Sequence, residues 1–457
     1  MKMNVLRRFW ICALLLCAGS ALAAPLNQEQ ANAARQIASG FDADRWFRMV
    51  EELTDNHGLK SRFSLRVRGA DIVDGSEPPD DAADLAADWI MEQLRTYGYE
   101  PTEHPFKHTL YSTFSSEIGN FTMRNIAAEK RGSGLNARRV LLLTAHYDSI
   151  TSRPDGEDAE WRESPAPGAI DNATGVAAVL EAARLFAEAE FDLTVRFVLF
   201  TGEELGLFGS GNYARDAQRN GDSIAGVLNV DMIGFDAEGP FDLHIVANRN
   251  SEWLLQTAHE AANDPQFNLD LTLHRNHRFG FSDHLPFWLY GFSAIAFTQD
   301  VSAGSYSYYH TIEDTIDKVQ VDYASEAVPA YIAAAAAAAR PLLNGKSPEP
   351  MRAQIVEASV YPNPFRLNGR QPLTVHCQLN EPARLTLRLY DAAGRVLHET
   401  SADGQIGLNQ LIEWDGRNMN GEPAAPGIYF VDVTMEPADG AASRRAARLL
   451  VLPNQEP

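Results

Sequence analysis

Two acids stand side by side in TGEELG, Glu203 and Glu204, directly after VRFVLF, a run too apolar for a surface strand. Neighbouring side chains on an extended chain point opposite ways, so the pair suits two tasks: one carboxylate binds a cation while the other faces a substrate. In TAHYDS, His146 and Asp148 lie two apart and share a face, which lets the Asp148 carboxylate accept a hydrogen bond from the imidazole nitrogen turned away from any metal. GAIDNATG places Asp171 between a glycine and a helix start, where its two oxygens can span two cations and Gly175 admits a close helix approach. Asp231 ends the apolar run of NVDMIG, and a carboxylate buried there needs a cation or hydrogen-bond donors. His310 sits in the polar loop YSYYHTIEDT.

Taken singly, each has an ordinary explanation: a strand-end hydrogen bond for His146, a helix cap for Asp171, a solvated pair for Glu203 and Glu204. Together, two histidines and three carboxylates from separate strand ends form the nitrogen and oxygen donor set that zinc accepts, with Glu203 left over for proton transfer.

The elements needed to gather them are legible as alternating strands and helices. Apolar runs at 140–148, 194–204, 224–235, 241–248 and 293–300 lack polar alternation, and helical spacing recurs in DADRWFRMVEEL, DLAADWIMEQLRTYG, NATGVAAVLEAARLFAEAE and SEWLLQTAHEAAND. That pattern predicts an α/β fold, a mainly parallel mixed sheet with helices on both faces, whose ligands bind beyond the carboxyl ends of the strands. The alanine run of YIAAAAAAAR reads as a close-packing helix face, and NGKSPEP breaks it. Beyond about Glu357, short alternating runs separated by turn clusters such as DAAGR and DGRNMNGEP predict a small all-β sandwich. The expected organisation is a signal peptide at 1–23, a catalytic domain at 24–345, a linker at 346–356 and the β-sandwich at 357–457.

The first residues combine Lys2, Arg7 and Arg8 with an apolar stretch and SALA, which predicts a cleaved leader and a secreted, periplasmic or cell-surface protein with no stable membrane insertion. The apolar stretch is shorter than the roughly 20 residues of a spanning helix. Cleavage takes the formal charge from -22 to -25, because three cations and no anions leave. Such acidity excludes a nucleic-acid partner and fits peptides or small molecules. Of the three cysteines, Cys12 and Cys17 fall in the leader; Cys377 reads as a small buried hydrophobe, with no intrachain disulfide.

HYDS, GAIDNATG, TGEELGLFGS, NVDMIG, SDHLPFWLYG and YHTIEDT, in this order, resemble the dinuclear zinc exopeptidases that include leucyl aminopeptidases, aminopeptidase Y and glutamate carboxypeptidase. The likeness covers about residues 40 to 345. It implies an enzyme with two zinc ions and a peptide substrate, above all an aminopeptidase. His146 and Asp231 would hold one ion, Glu204 and His310 the other, and Asp171 would bridge them. Glu203 would be the general base, Tyr309 a donor to the developing oxyanion, and the peptide bond from Asp171 to Asn172 a cis candidate. Asp283 and His284 match a recurring family motif without being ligands. The C-terminal strings VYPNPF, LRLYDAAGRVL and WDGRNMNGEPAAPGIYFV resemble an immunoglobulin-like domain of secreted bacterial enzymes and flagellar hook-capping protein, which implies either a sorting signal in contact with secretion machinery or a passive appendage.

Three alternatives remain at this level. A glutaminyl-peptide cyclotransferase shares the fold and much of the ligand set; a carboxypeptidase would need an arginine cluster, for which RNHR is the nearest candidate; and a noncatalytic binding or adhesion protein would use the β-sandwich. Phe279, Phe281, Phe287 and Trp288 suit either an apolar specificity pocket or packing.

Overall fold

The computed structural model describes residues 26–55, 82–111, 117–151, 165–237, 240–275, 281–300, 305–346, 355–367, 372–379, 382–405, 407–437 and 442–453. The expected leader and most of the expected linker lie outside these residues.

One sheet of eight strands organises the first part of the chain: β1 (Thr102–Tyr111), β2 (Glu117–Lys130), β3 (Val140–His146), β4 (Thr194–Phe200), β5 (Ile224–Val230), β6 (Asp242–Ala247), β7 (Asp270–Arg275) and β8 (Ala294–Thr298), in the order β1-β2-β4-β3-β5-β8-β6-β7. The centre, β4-β3-β5-β8, is parallel, whereas β2 joins β4, and β6 joins β8, antiparallel. The central strands read as unbroken apolar runs because both faces are covered. Leu141, Leu143 and Ala145 of β3 enter one core, and Val140 and Leu142 the other. The first core is roofed by α1 (Gln28–Ala38), α2 (Ala43–Asp55), α3 (Ala82–Thr96), α4 (Thr174–Ala187), α6 (Glu252–Ala262) and α8 (Val321–Ala339). The second lies under α5 (Phe208–Asn220) and α7 (His284–Leu289).

The α/β expectation holds, as does the alanine run: Ala333 through Ala339 are all buried in the first core, where small side chains let α8 lie close to its neighbours. Two parts of the sheet go beyond the sequence reading. Residues 102–108 of β1 and the edge strand β7 are only partly covered, and the buried stretch of β2 is broken by Arg124 and Asn125, so none carries an apolar run to announce it. Among the described residues, no helix is long and apolar enough to cross a membrane.

The N-terminal helices are built into the first core. Arg35 of α1 donates to the carbonyls of Ala261 and Glu260 at 3.0 and 2.9 Å. Trp46 of α2 is fully buried and donates Nε1–H to the Thr174 carbonyl at 3.2 Å. Trp46→Ala should therefore lower stability by about 3–5 kcal/mol, read as an earlier denaturation midpoint; an unchanged midpoint would show that α2 is an appendage.

The C-terminal strands are β9 (Ile355–Tyr361), β10 (Phe365–Arg366), β11 (Leu373–Leu379), β12 (Ala383–Tyr390), β13 (Val396–Gly404), β14 (Gly407–Trp414), β15 (Gly427–Pro437) and β16 (Ser443–Leu452). They form a five-stranded sheet, β10-β16-β15-β12-β13, and a three-stranded sheet, β14-β11-β9. Inward-facing residues of both, including Val375, Leu387, Trp414 and Val433, make one core, as the alternation predicts. Cys377 lies in that core, and burial pushes its thiol up to about 12.

Candidate metal centre

The carboxyl ends of the parallel strands converge. β3 ends in His146, β4 runs out into Glu203 and Glu204, Asp231 follows β5, and the segment after β8 leads to His310. Asp171 lies in a kinked turn, Ala169–Ala173, that feeds α4, and its backbone (φ -109°, ψ 93°) is not helical. The peptide bond from Asp171 to Asn172 is cis. Asn172 then ties this turn to β5: its Nδ2 donates to the Val230 carbonyl at 3.0 Å, and its Oδ1 accepts from the Gly175 and Met232 amides at 3.0 and 3.1 Å. A Cβ at Gly175 would sit 2.2 Å from Asn172 Oδ1 and 2.7 Å from the Val230 carbonyl oxygen, so the close approach requires glycine.

The structure brings together every ligand candidate named from the sequence. His146 Nε2 stands 3.2 Å from both Asp231 Oδ1 and Asp171 Oδ1. His310 Nε2 stands 3.2 Å from Asp171 Oδ2 and 2.8 Å from Glu204 Oε2. The two oxygens of Asp171 thus each face a different imidazole. Donor atoms of His146, Asp171 and Glu204, and likewise of His146, Glu203 and Asp231, gather within 4.8 Å of one another. His310 and Met232 hold positive φ angles of 55° and 61°, and Leu207 one of 62°, left-handed conformations that non-glycine residues adopt at a cost and that cluster at functional sites.

Asp148 meets His146 Nδ1 through both its groups: the carboxylate Oδ1 is 3.7 Å away and the backbone carbonyl, the nearer of the two, 3.1 Å. β3 stops at His146, so the strand geometry that would align the two side chains is already lost. The Asp148 carboxylate also accepts from the Glu203 and Glu204 amides at 3.2 and 3.3 Å, holding the turn that carries both acids. The consequence for the imidazole is unchanged, because a carbonyl can only accept. Nδ1 carries a proton, and Nε2 is the ring atom turned toward Asp171 and Asp231.

Sequence reasoning missed Ser282 and Asn229. Ser282 donates to Asp231 Oδ2 at 2.5 Å and accepts from Asn229 Nδ2 at 2.8 Å, and Asn229 Oδ1 accepts from Thr144 at 2.8 Å. Ser282 opens the SDHLPF string, which was the available signal. Asp283 and His284 are buried beside it. Tyr309 is half exposed and stacks on His310, with ring centroids 3.7 Å apart. Of the aromatic cluster, Phe287 is buried in the second core and Trp288 donates to the Ala294 carbonyl at 2.8 Å, while Phe281 is exposed. Phe279 lies outside the described residues, as do Asn276, His277 and Arg278 of RNHR. Arg275 is engaged with Glu252 at 3.0 Å. An open cleft of about 550 Å³ beside β1 and α5 contains none of the cluster's side chains, and its charges pair internally, Arg196 with Glu129 and His104 with Asp216.

The electrostatics are those of an acid-rich pocket short of positive charge. Burial raises Glu204 to about 8, reinforced by the charge of Asp171. Burial likewise lifts Glu203 well above its ordinary value, aided by Glu204, Asp231 and Asp283. Burial alone would lower the imidazoles, yet the surrounding acids outweigh it: His310 rises to about 10, and His146 well above its usual range. Asp171, burial notwithstanding, is held below the ordinary carboxylate range by His146 and His310. Among the described residues, the buried Glu204 Oε1 and His310 Nε2 find no aligned hydrogen-bond partner. Buried imidazole nitrogens and carboxylate oxygens crowded together at 2.8 to 3.2 Å fit zinc.

Comparison with known proteins agrees with this geometry. Residues 125–335 match the family model for Peptidase family M28, and residues 363–439 that for the FlgD Ig-like domain. The chain is 30% identical over 217 residues to Aminopeptidase YwaD of Bacillus subtilis, covering 46% of this chain and 43% of YwaD. It is 34% identical over 169 residues to a probable zinc metalloprotease of Pyricularia oryzae, covering 35% and 32%. It therefore spans less than half the length of these curated relatives. Among solved structures, an aminopeptidase from Aneurinibacillus sp. strain AM-1 superposes with a TM-score of 0.52 at 20% identity, covering 70% of this chain and 99% of that one. A glutaminyl cyclase of Fimbriiglobus ruber superposes with a TM-score of 0.50 at 18% identity, covering 65% and 96%. These two likenesses concern the fold.

Proposed function

We propose that this protein is a secreted dinuclear zinc exopeptidase, an aminopeptidase that releases N-terminal residues from peptides. The observation that carries the two-ion reading is Asp171, whose two oxygens face His146 and His310 separately at 3.2 Å each. His146 and Asp231 would hold one ion and Glu204 and His310 the other, with Asp171 serving both. Zinc bound there supplies Lewis acidity toward the substrate carbonyl and toward the attacking water.

The chain's own groups do the rest. Glu203, lifted by burial and by neighbouring acids, is a base able to take the water's proton and pass it to the departing amine. Asp148 fixes the turn on which Glu203 and Glu204 ride, and its carbonyl sets the tautomer of His146. The half-exposed Tyr309 hydroxyl donates to the developing oxyanion. We place the catalytic domain at 24–345 and the β-sandwich at 357–457, joined by 346–356. The leader at 1–23 directs export, and the β-sandwich contacts the secretion machinery.

A panel of aminoacyl amides and glutaminyl peptides, assayed with and without a chelator, tests this reading. Release of free amino acids, abolished by the chelator and restored by zinc, is expected. Formation of pyroglutamate would instead identify a cyclotransferase. Absence of turnover in zinc-loaded protein would favour the binding-protein alternative.

A further inference from the structure

Asp314, four residues beyond His310, is buried and stands outside the ligand cluster, yet its carboxylate is fully engaged. Its Oδ1 accepts from the Ile170 amide at 2.9 Å and from the Tyr306 hydroxyl at 2.6 Å, and its Oδ2 accepts from the Asp171 amide at 3.1 Å. Its backbone carbonyl accepts from the Ala169 amide at 3.0 Å. Three successive amides of the Asp171 turn therefore end on one residue of the His310 loop. Tyr306 closes that loop from its other side: it is buried against Ile170 and Met232, and its ring lies 5.0 Å from that of Phe235.

We propose that Asp314 is a positioning residue that sets the distance between Asp171 and His310, and with it the affinity of the zinc ion that His310 holds. The inference rests on the two-zinc reading above. Asp171 and His310 are 139 positions apart in sequence, and their side chains must meet to within a few tenths of an ångström. A carboxylate is suited to the task because both of its oxygens accept and neither donates, so it can take two consecutive amides at once. Asparagine offers one accepting oxygen and turns an NH2 toward the second amide. Tyr306 binds the same carboxylate without touching the Asp171 turn's amides, so its hydroxyl acts one step further out.

Stripped protein should be titrated with zinc against a chromophoric chelator, comparing the parent with Asp314→Ala, Asp314→Asn and Tyr306→Phe. Loss of a group that orients a ligand typically weakens metal binding ten- to a hundredfold. The expected result is that one of the two binding steps weakens by about that factor in Asp314→Ala, by less in Asp314→Asn and least in Tyr306→Phe. Excess zinc should restore kcat with KM unchanged, which a general loss of fold would not allow. Parent-like titration in Asp314→Ala would overturn the proposal, as would equal weakening of both steps accompanied by a lowered unfolding temperature. A parent protein that binds no zinc would instead defeat the underlying metal reading.

Discussion

Glu203→Gln leaves both zinc ions in place and lowers kcat by roughly a hundred- to ten-thousandfold, the range that a positioned general base contributes. The substitution keeps the size of the side chain and its oxygen acceptor while removing its ability to take a proton. Geometry makes the outcome informative, because Glu203 has a donor atom within 4.8 Å of those of His146 and Asp231 and so competes for a ligand's place. Three acids, Asp171, Glu204 and Asp231, stand within 3.2 Å of an imidazole, as co-ligands of shared ions would. Glu203 takes part in none of those contacts. Burial and its acidic neighbours also raise its proton affinity, as a group that takes a proton requires. Metal analysis of the variant beside its steady-state kinetics separates the roles: two ions with turnover lost is the expected pair, whereas one ion lost would make Glu203 a ligand.

The second large effect is expected at Asp171. Asp171→Asn keeps the side chain's shape and removes its charge, and zinc binding should weaken by at least roughly a hundredfold, the upper end of what losing even a supporting group costs. Both ions should be affected, because each Asp171 oxygen faces a different imidazole. The loss also leaves His146 and His310 without the carboxylate they share, so activity should disappear at stoichiometric zinc. Circular dichroism checks that the α/β fold persists, and competition titration reads the affinity. Two ions still bound with parental affinity would remove Asp171 from the bridging position.

Much of this was legible in the sequence, for reasons that differ by residue. The central strands announce themselves because both faces are buried, and their ends place His146, Glu204 and Asp231 in one crevice by topology alone. Asp171 was readable from its glycine-flanked turn, although the way Asn172 knits that turn to β5 was not. Strands β1, β2 and β7 carry no uninterrupted apolar pattern: residues 102–108 of β1 and all of β7 are only partly covered, and Arg124 and Asn125 interrupt β2. Asp148 is readable as a partner of His146, but not that its backbone carbonyl comes nearer than its carboxylate, because period-two reasoning assumes a strand that ends at His146. Asp314 and Ser282 act through atoms from distant segments, and spacing within one segment carries no trace of that.

The chain also shows how a site this acidic coexists with a stable fold. Buried carboxylates without compensation would oppose folding. Here Ser282 stabilises Asp231, the Glu203 and Glu204 amides engage Asp148, and the imidazoles oppose the charge of Asp171. The remaining excess of negative charge suits the binding of divalent zinc.

Anomalous diffraction at the zinc edge, from crystals grown with zinc, tests the central claim most directly. The account predicts two peaks about 3.5–4 Å apart, the spacing of two-metal sites, one beside His146 and Asp231 and the other beside Glu204 and His310, with Asp171 between them. A single peak, or peaks away from Asp171, would contradict it.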